Sequence, residues 1–353
     1  MSKFLNKKYA GLEAYVPGEQ PTDKKYIKLN TNESPYPPSK ETLEVVSREE
    51  SISLNLYPDP TCNRLKEAIA RRFNLSKENV FVSNGSDDIL NFSFMAFAGN
   101  GEKAIFPDIS YGFYQVFCEL HNVEYEKKSL NTDFTINIGD YTNNNAMVVI
   151  ANPNAPTGIF LTIDEIEKIV QSNPDHIVII DEAYIDFGGQ SAVQLVGAYS
   201  NLLVVQTFSK SRCLAGGRIG FAFGSADIIS DLEKIKYSTN PYSINRVSLN
   251  AGVAAIESDR YYMDKCLEII SSREYTKSKL EEMGFYVTDS KANFIFAKKE
   301  GVDGEWFYNQ LRDRGILVRH FTSERIKDFN RITIGTKEQM EKFIEVTKSI
   351  LNV

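Results

Sequence analysis

The sequence predicts an α/β fold: a large domain with a mainly parallel sheet sandwiched by helices, followed by a small α+β domain. Three observations point there. The apolar runs Met147 to Ile150, Ile177 to Ile180 and Leu202 to Val205 are continuous rather than alternating, as strands covered on both faces are. Helix-like segments lie between such runs, the order that builds a parallel sheet. With 353 residues the chain is also long for one hydrophobic core, which calls for a second, smaller unit.

Taken in order, the first forty residues are rich in Pro, Asn and Tyr without clear periodicity, and are expected to wrap over the fold rather than form core. Thr61 is placed to cap a helix carrying Leu65, Ile69 and Phe73. A strand at Val80 to Val82 leads into a helix from Asp87 to Ala98, followed by a strand at Ala104 to Phe106 and the three runs named above. After Pro241 a long helical region carries Ala251, Val253, Ile256, Leu267, Ile270 and Leu280, softly broken at Ser258 and Asp259 and stopped at Gly284. Strands at Phe285 to Val287, Asn293 to Phe296, Ile316 to Val318 and Ile332 to Ile334 alternate with helices at Glu305 to Arg314 and Lys337 to Leu351. The expected divisions are an N-terminal segment (1–40), a large domain (41–260) and a small C-terminal domain (261–353).

Composition narrows the chemistry. The chain is 42% hydrophobic and 25% charged, ordinary for a globular protein. Its net charge of −7, without a long basic run, argues against general nucleic-acid binding. Cys62, Cys118, Cys213 and Cys266 are dispersed, and His121, His176 and His320 lack zinc-site spacing, so no metal is expected. No apolar run approaches the about 20 residues that span a bilayer, and the start Met1-Ser2-Lys3 has no apolar leader behind it. A cytoplasmic protein with reduced thiols is expected.

Chemistry concentrates where strands end, the place at which open α/β sheets bind ligands. The run Leu202 to Val205 gives way to Thr207, Ser209, Lys210 and Ser211, with Arg218 eight residues beyond Lys210. A lysine at the end of a buried strand either snorkels to solvent or, desolvated, becomes a neutral nucleophile. Nearby hydroxyls and an arginine suit a phosphate dianion. Ser83-Asn84-Gly85-Ser86-Asp87-Asp88 joins a strand to a helix, whose first amides are a second anion cradle or simply a capped helix. Asp181 follows the strand Ile177 to Ile180, with Tyr184 three residues on. A carboxylate there can pair with a protonated pyridine nitrogen, or serve as a helix cap.

Asn152 to Gly158 (NPNAPTG), Asp181-Glu182-Ala183-Tyr184, and Ser209-Lys210 with Arg218 resemble the signature of fold-type I, pyridoxal-phosphate-dependent aminotransferases. Tyr15 to Gly18, Leu29 to Pro35, Tyr57 to Pro60, Asn84 to Asp87, Pro241 to Asn245 and Arg331 to Thr336 are similar to the histidinol-phosphate aminotransferase subfamily. The resemblance covers residues from about 12 to 340. It implies that Lys210 forms the Schiff base with pyridoxal 5′-phosphate and then moves the proton. It implies Asp181 at the pyridine nitrogen, Tyr184 at O3′, and Tyr111 stacked on the ring. Gly85, Ser86, Ser209 and Arg218 are implied at the phosphate, and Tyr57 at the phosphate of a neighbouring subunit, so that a homodimer shares its active sites. Arg331 is implied at the anionic end of the substrate, with Tyr15 and Arg319 as further candidates for that pocket.

One position departs from the pattern: the family has asparagine directly before Pro-Thr-Gly, where this chain has Ala155. Either Asn154 or Asn152 takes over its bond to O3′, or Tyr184 acts alone. The implied reaction is transamination between histidinol phosphate and 2-oxoglutarate in histidine biosynthesis. The rivals are an aromatic amino acid aminotransferase, a threonine-phosphate decarboxylase, and a non-catalytic regulatory protein on the same fold. Neither a GxGxxG segment nor a P-loop supports nucleotide binding.

Overall fold

A computed structural model describes Leu12 and residues 18–46, 53–99 and 101–352. Among the described residues thirteen strands run in chain order: β1 Ile27–Lys28, β2 Val80–Ser83, β3 Lys103–Pro107, β4 Tyr125–Lys128, β5 Ala146–Ala151, β6 Val178–Asp181, β7 Leu202–Thr207, β8 Gly220–Phe223, β9 Phe285–Val287, β10 Phe294–Lys299, β11 Ile316–Leu317, β12 Arg319–His320 and β13 Asn330–Thr333. The large sheet has the order β2-β8-β7-β6-β5-β3-β4. β8 runs antiparallel to both its neighbours, and the other pairings are parallel.

The continuous apolar runs have the two-sided burial expected of them. Val148, Ile150, Val178, Ile180, Leu202 and Val204 face one core, closed by Leu65 and Ile69 of the helix Asn63–Phe73 and by Leu249 and Val253 of the helix Arg246–Glu257. Met147, Val149, Ile179, Leu203 and Val205 face the other, closed by Leu90 and Phe94 of the helix Ser86–Phe97, Phe117 of Phe113–His121, and Leu232 of Ala226–Thr239. Alternate residues of one strand feed opposite layers because side chains in a strand have period two.

The second unit carries an antiparallel sheet of order β12-β13-β10-β9. Asp259–Glu282, Gly304–Asp313 and Lys337–Leu351 pack on it through Ile269, Leu280, Phe307, Leu311, Met340 and Phe343. The soft break at Ser258 separates the helices Arg246–Glu257 and Asp259–Glu282.

Two local expectations are corrected. Thr61 caps nothing: the helix begins at Asn63, behind a left-handed Cys62. The Asp59 carboxylate accepts from the Asn63 amide at 3.0 Å and the Thr61 amide at 2.9 Å, so Asp59 supplies the acceptor. The N-terminal segment also does more than wrap, because β1 pairs in parallel with β11 and Leu29, 1% exposed, belongs to the second unit's core. No helix among the described residues is long and apolar enough to cross a membrane.

Candidate active site

A cleft of about 650 Å³ opens at the carboxyl ends of β5, β6 and β7, where Ala151, Asp181 and Thr207 reach its floor. Its walls include Ser86, Tyr111, Tyr184, Ser209, Lys210 and Arg218, with Arg319 and Arg331 from the second unit. Nine of the residues singled out in the sequence therefore meet at one place: these eight and Asp181. Gly85 stands immediately beside them, before Ser86. Tyr57 does not join them within the chain: it is 77% exposed and stacks on Tyr242 with ring centroids 4.5 Å apart. Tyr15 lies outside the described residues.

Lys210 follows β7 on the loop and is partly buried. Its Nζ donates to the Thr31 carbonyl at 3.3 Å and lies 5.7 Å from the centre of the Tyr184 ring. The Tyr184 oxygen accepts from Asn32 Nδ2 at 3.0 Å, while the ring stands edge-on to Phe294. Asn32 already fills that lone pair, so the phenolic proton is left to donate elsewhere. Asn32 is held in turn by Thr333: its amide donates to Thr333 Oγ1 at 3.0 Å, and the Thr333 hydroxyl donates to Asn32 Oδ1 at 2.9 Å.

Asp181 is 5% exposed at the end of β6. Burial pushes its carboxyl up to about 6, against donors Tyr114 (2.8 Å) and the Ala183 amide (3.3 Å) that stabilise the ionised form. Burial likewise pushes Glu182 up to about 7, but Glu182 does not line the cleft. It accepts from Ser191, the Ala192 amide and Gln206, and so ties β6 to the following loop and β7.

An anion cradle forms where β2 meets the helix Ser86–Phe97. The first amides of that helix have no carbonyl one turn back to bind. Gly85 holds φ at +91°, and a Cβ there would sit 2.7 Å from Arg218 Nη2, so glycine is what lets the guanidinium lie over the turn. Arg218 reaches Asp87 at 3.5 Å, and Tyr111 donates to the same carboxylate at 2.7 Å. Thr207 Oγ1 donates to Ser209 Oγ at 3.0 Å on the facing loop.

Among the cleft residues of the second unit, Arg319 of β12 is the cross-strand partner of Arg331 of β13. Arg331 donates to the Asn30 carbonyl at 3.1 Å and lies over the Phe294 ring at 5.3 Å.

The two asparagines near the missing donor have partners of their own. Asn154 Nδ2 donates to the Ile109 carbonyl and to Thr157, and Asn152 Nδ2 donates to the Leu161 carbonyl. Both amides are committed to shaping the loop, and Ala155 presents only a methyl group to the cleft. Tyr184, by contrast, lines the cleft with a hydroxyl that accepts from Asn32. Sequence reading missed Tyr114, Asn32, Glu33 and Asp87 as site residues. Tyr114, three positions after Tyr111 and joined to it by a turn in which its amide donates to the Tyr111 carbonyl, was the one with a readable signal.

The family model for aminotransferases of class I and II matches residues 24–346. A histidinol-phosphate aminotransferase of Brachyspira hyodysenteriae is 51% identical over 352 residues, covering 99% of each chain. The solved histidinol-phosphate aminotransferase of Clostridium acetobutylicum superposes with a TM-score of 0.84 at 25% identity, over 92% of this chain and 99% of that one. That of Sinorhizobium meliloti, solved with pyridoxal-5′-phosphate, gives 0.84 at 22% identity, over 93% and 92%. The chain belongs to the class I and II aminotransferase family.

Proposed function

We propose that the chain exchanges an amino group between histidinol phosphate and 2-oxoglutarate with pyridoxal 5′-phosphate as cofactor, working as a cytoplasmic homodimer. The cleft fits that cofactor. The Gly85 turn, the first amides of the helix Ser86–Phe97 and Arg218 make a cradle for a phosphate dianion. The buried carboxylate of Asp181 suits a protonated ring nitrogen, and Tyr184 can donate to a phenolate oxygen. When bound, pyridoxal phosphate supplies an electron sink that makes the substrate Cα–H bond acidic.

The chain's own groups do the rest. Lys210 would hold the cofactor through its amine, and the same amine, once free, would serve as the base that accepts the substrate Cα proton and as the acid that gives it back. Its tether to the Thr31 carbonyl sets where the amine stands. Asp181 would favour positive charge on the ring nitrogen, and Tyr184, with its oxygen steadied by Asn32, would favour negative charge on the cofactor's phenolic oxygen. The exposed Tyr57–Tyr242 stack, with Leu54 and Leu56 exposed beside it, is an apolar patch suited to a second copy of the chain. The separate sheets and cores support units at 41–260 and 261–353, joined through the helix Asp259–Glu282.

One arrangement carries the substrate assignment: Arg319 and Arg331, cross-strand partners, both line the cleft that contains the cofactor cradle. A paired guanidinium site takes either the side-chain carboxylate of glutamate or a substrate phosphate, which is what alternating donors require. The 51% identity across the chain favours histidinol phosphate over the aromatic and decarboxylase alternatives. Half-reaction spectroscopy with histidinol phosphate, phenylalanine, glutamate and threonine phosphate tests this. Bleaching of the visible band by histidinol phosphate and glutamate at low concentration is expected. Preference for phenylalanine, or loss of carbon dioxide from threonine phosphate, would reassign the substrate. Lys210→Ala is expected to bind the cofactor without the covalent link and to lose turnover.

A further inference from the structure

We propose that Lys236 is a positioning residue for Tyr57: its buried ammonium ties the loop that carries Tyr57 to the strand that leads into the Gly85 turn, and so sets how Tyr57 is presented to a neighbouring subunit. The inference rests on the reading of Tyr57 as a phosphate ligand of that subunit. Lys236 lies in the last turn of the helix Ala226–Thr239 and is 0% exposed, a placement lysine avoids unless its charge is paired or hydrogen-bonded. An ammonium has three protons to place. Lys236 Nζ donates to the Val82 carbonyl at 3.1 Å and to the Pro60 carbonyl at 3.3 Å, with Cys62 Sγ at 3.8 Å as the third acceptor. Burial raises the Cys62 thiol above its ordinary range against the pull of Lys236, so the sulfur is a weak neutral acceptor and the two carbonyls do the fixing. The Phe81 ring lies 5.6 Å from the same nitrogen and adds a favourable face for the charge.

The two carbonyls belong to the two segments that serve phosphate. Val82 lies in β2, an edge strand of the large sheet, three residues before Gly85. Pro60 lies three residues after Tyr57. In Tyr57-Pro58-Asp59-Pro60 the two prolines have φ fixed, so a hold on Pro60 carries back to Tyr57 with little slack. The same helix leads to a grip on the other end, because Tyr242, three residues past its last turn, stacks on the Tyr57 ring. Methionine would fill the space of Lys236 without a buried charge, so packing alone does not account for a lysine here. Without the ammonium the two carbonyls lose their shared donor, and Pro60 is free to move off β2.

The test uses Lys236→Met and Tyr57→Phe. Pyridoxal phosphate titration of the apoprotein's fluorescence measures affinity, with sedimentation and thermal unfolding followed alongside. Tyr57→Phe is expected to lose about tenfold, the worth of one hydrogen bond to a charged group, and Lys236→Met about threefold or more. The double variant should bind within about twofold of Tyr57→Phe, because Lys236 acts through the hydroxyl already removed. Heterodimers of Lys236→Met with Lys210→Ala, isolated through two different tags, give the sharper result. Their visible band reports only the site that keeps Lys210, and that site takes its Tyr57 from the chain with an intact Lys236, so its affinity should return to wild type. If Lys236→Met does not fold, Lys236→Gln, whose amide still reaches one carbonyl, replaces it in every arm. Wild-type affinity in the Lys236 variant, additive losses in the double variant, or a heterodimer site as weak as that of the Lys236 homodimer overturns the positioning role. Wild-type affinity in Tyr57→Phe would sink the reading of Tyr57 itself, and the role given to Lys236 with it.

Discussion

Gly220 lies against Gly85 so closely that a Cβ on Gly220 would sit 2.3 Å from the Gly85 carbonyl carbon and 2.4 Å from the Ser86 nitrogen. The contact arises because Ser83 of β2 and Gly220 of β8 are direct partners in the sheet, so the turn that follows β2 folds over the end of β8. Backbone on both sides leaves nothing to yield. Gly220→Ala is expected to push the Gly85–Ser86 turn off the sheet, costing about 1–3 kcal/mol of stability as overpacking does. It should weaken cofactor binding about tenfold or more through the disturbed phosphate cradle. Cofactor titration and urea unfolding measure both; an alanine variant that binds pyridoxal phosphate like wild type would refute the role given to this turn.

Asp181 burdens the fold when the cofactor is removed. An unfolded aspartate titrates near 3.9, whereas burial holds Asp181 at about 6. As pH rises from about 4 to 6 the unfolded chain releases this proton and the folded chain retains it, so stability falls across that window and stays low above it. The apoprotein of Asp181→Asn should therefore be more stable than wild-type apoprotein at pH 7.5, by about 1–3 kcal/mol. The advantage should shrink as pH is lowered through 6 towards 4. Urea unfolding at several pH values decides; a gap that does not change with pH would contradict the assignment. The charge is retained at a cost to the fold because the reaction needs it.

Much of this was readable in advance, for physical reasons. β5, β6 and β7 are buried on both faces, so their composition announced them, and Asp181 and Lys210 were visible as polar groups just beyond apolar runs. β8 was not anticipated: Gly220–Phe223 is four residues long and follows a Gly-rich turn, and its burial depends on β2 and β7 clasping it from either side. The helices Ile163–Ser172 and Ala226–Thr239 also escaped notice, although the first opens with a Thr162–Glu165 capping box. Asn32 and Tyr114 act through partners 301 and 67 residues away, and no local pattern encodes such pairings. The commitments of Asn152 and Asn154 likewise depend on the folded loop rather than on the motif that contains them.

The facing arginines are separable by substitution. Arg331 is fixed between the Asn30 carbonyl and the Phe294 ring, an orientation that presents a planar fork and that lysine cannot copy. Arg331→Lys is expected to raise KM for glutamate by about tenfold or more, with a smaller effect on kcat, as loss of a bidentate ion pair does. Arg319→Lys should have the lesser effect on glutamate. Steady-state kinetics with both substrates checks this, and the reverse ranking would move the anion site to Arg319.

Tyr57 is held in an exposed position. Arg246 donates to its carbonyl at 3.0 Å and Tyr242 stacks on its ring, so the side chain is presented to the outside rather than to its own chain's cleft. If it completes the phosphate site of a neighbouring subunit, the protein sediments as a dimer and Tyr57→Ala binds cofactor poorly while remaining dimeric. Subunit exchange then gives a sharper test. Mixing Tyr57→Ala with Lys210→Ala, each nearly inactive alone, creates heterodimers in which one site has an intact Lys210 from one chain and an intact Tyr57 from the other. For a symmetric dimer with random exchange, about half the dimers are mixed and one of their two sites is whole, so about a quarter of wild-type activity should return. Heterodimers that form without any recovery would place Tyr57 outside the partner's site.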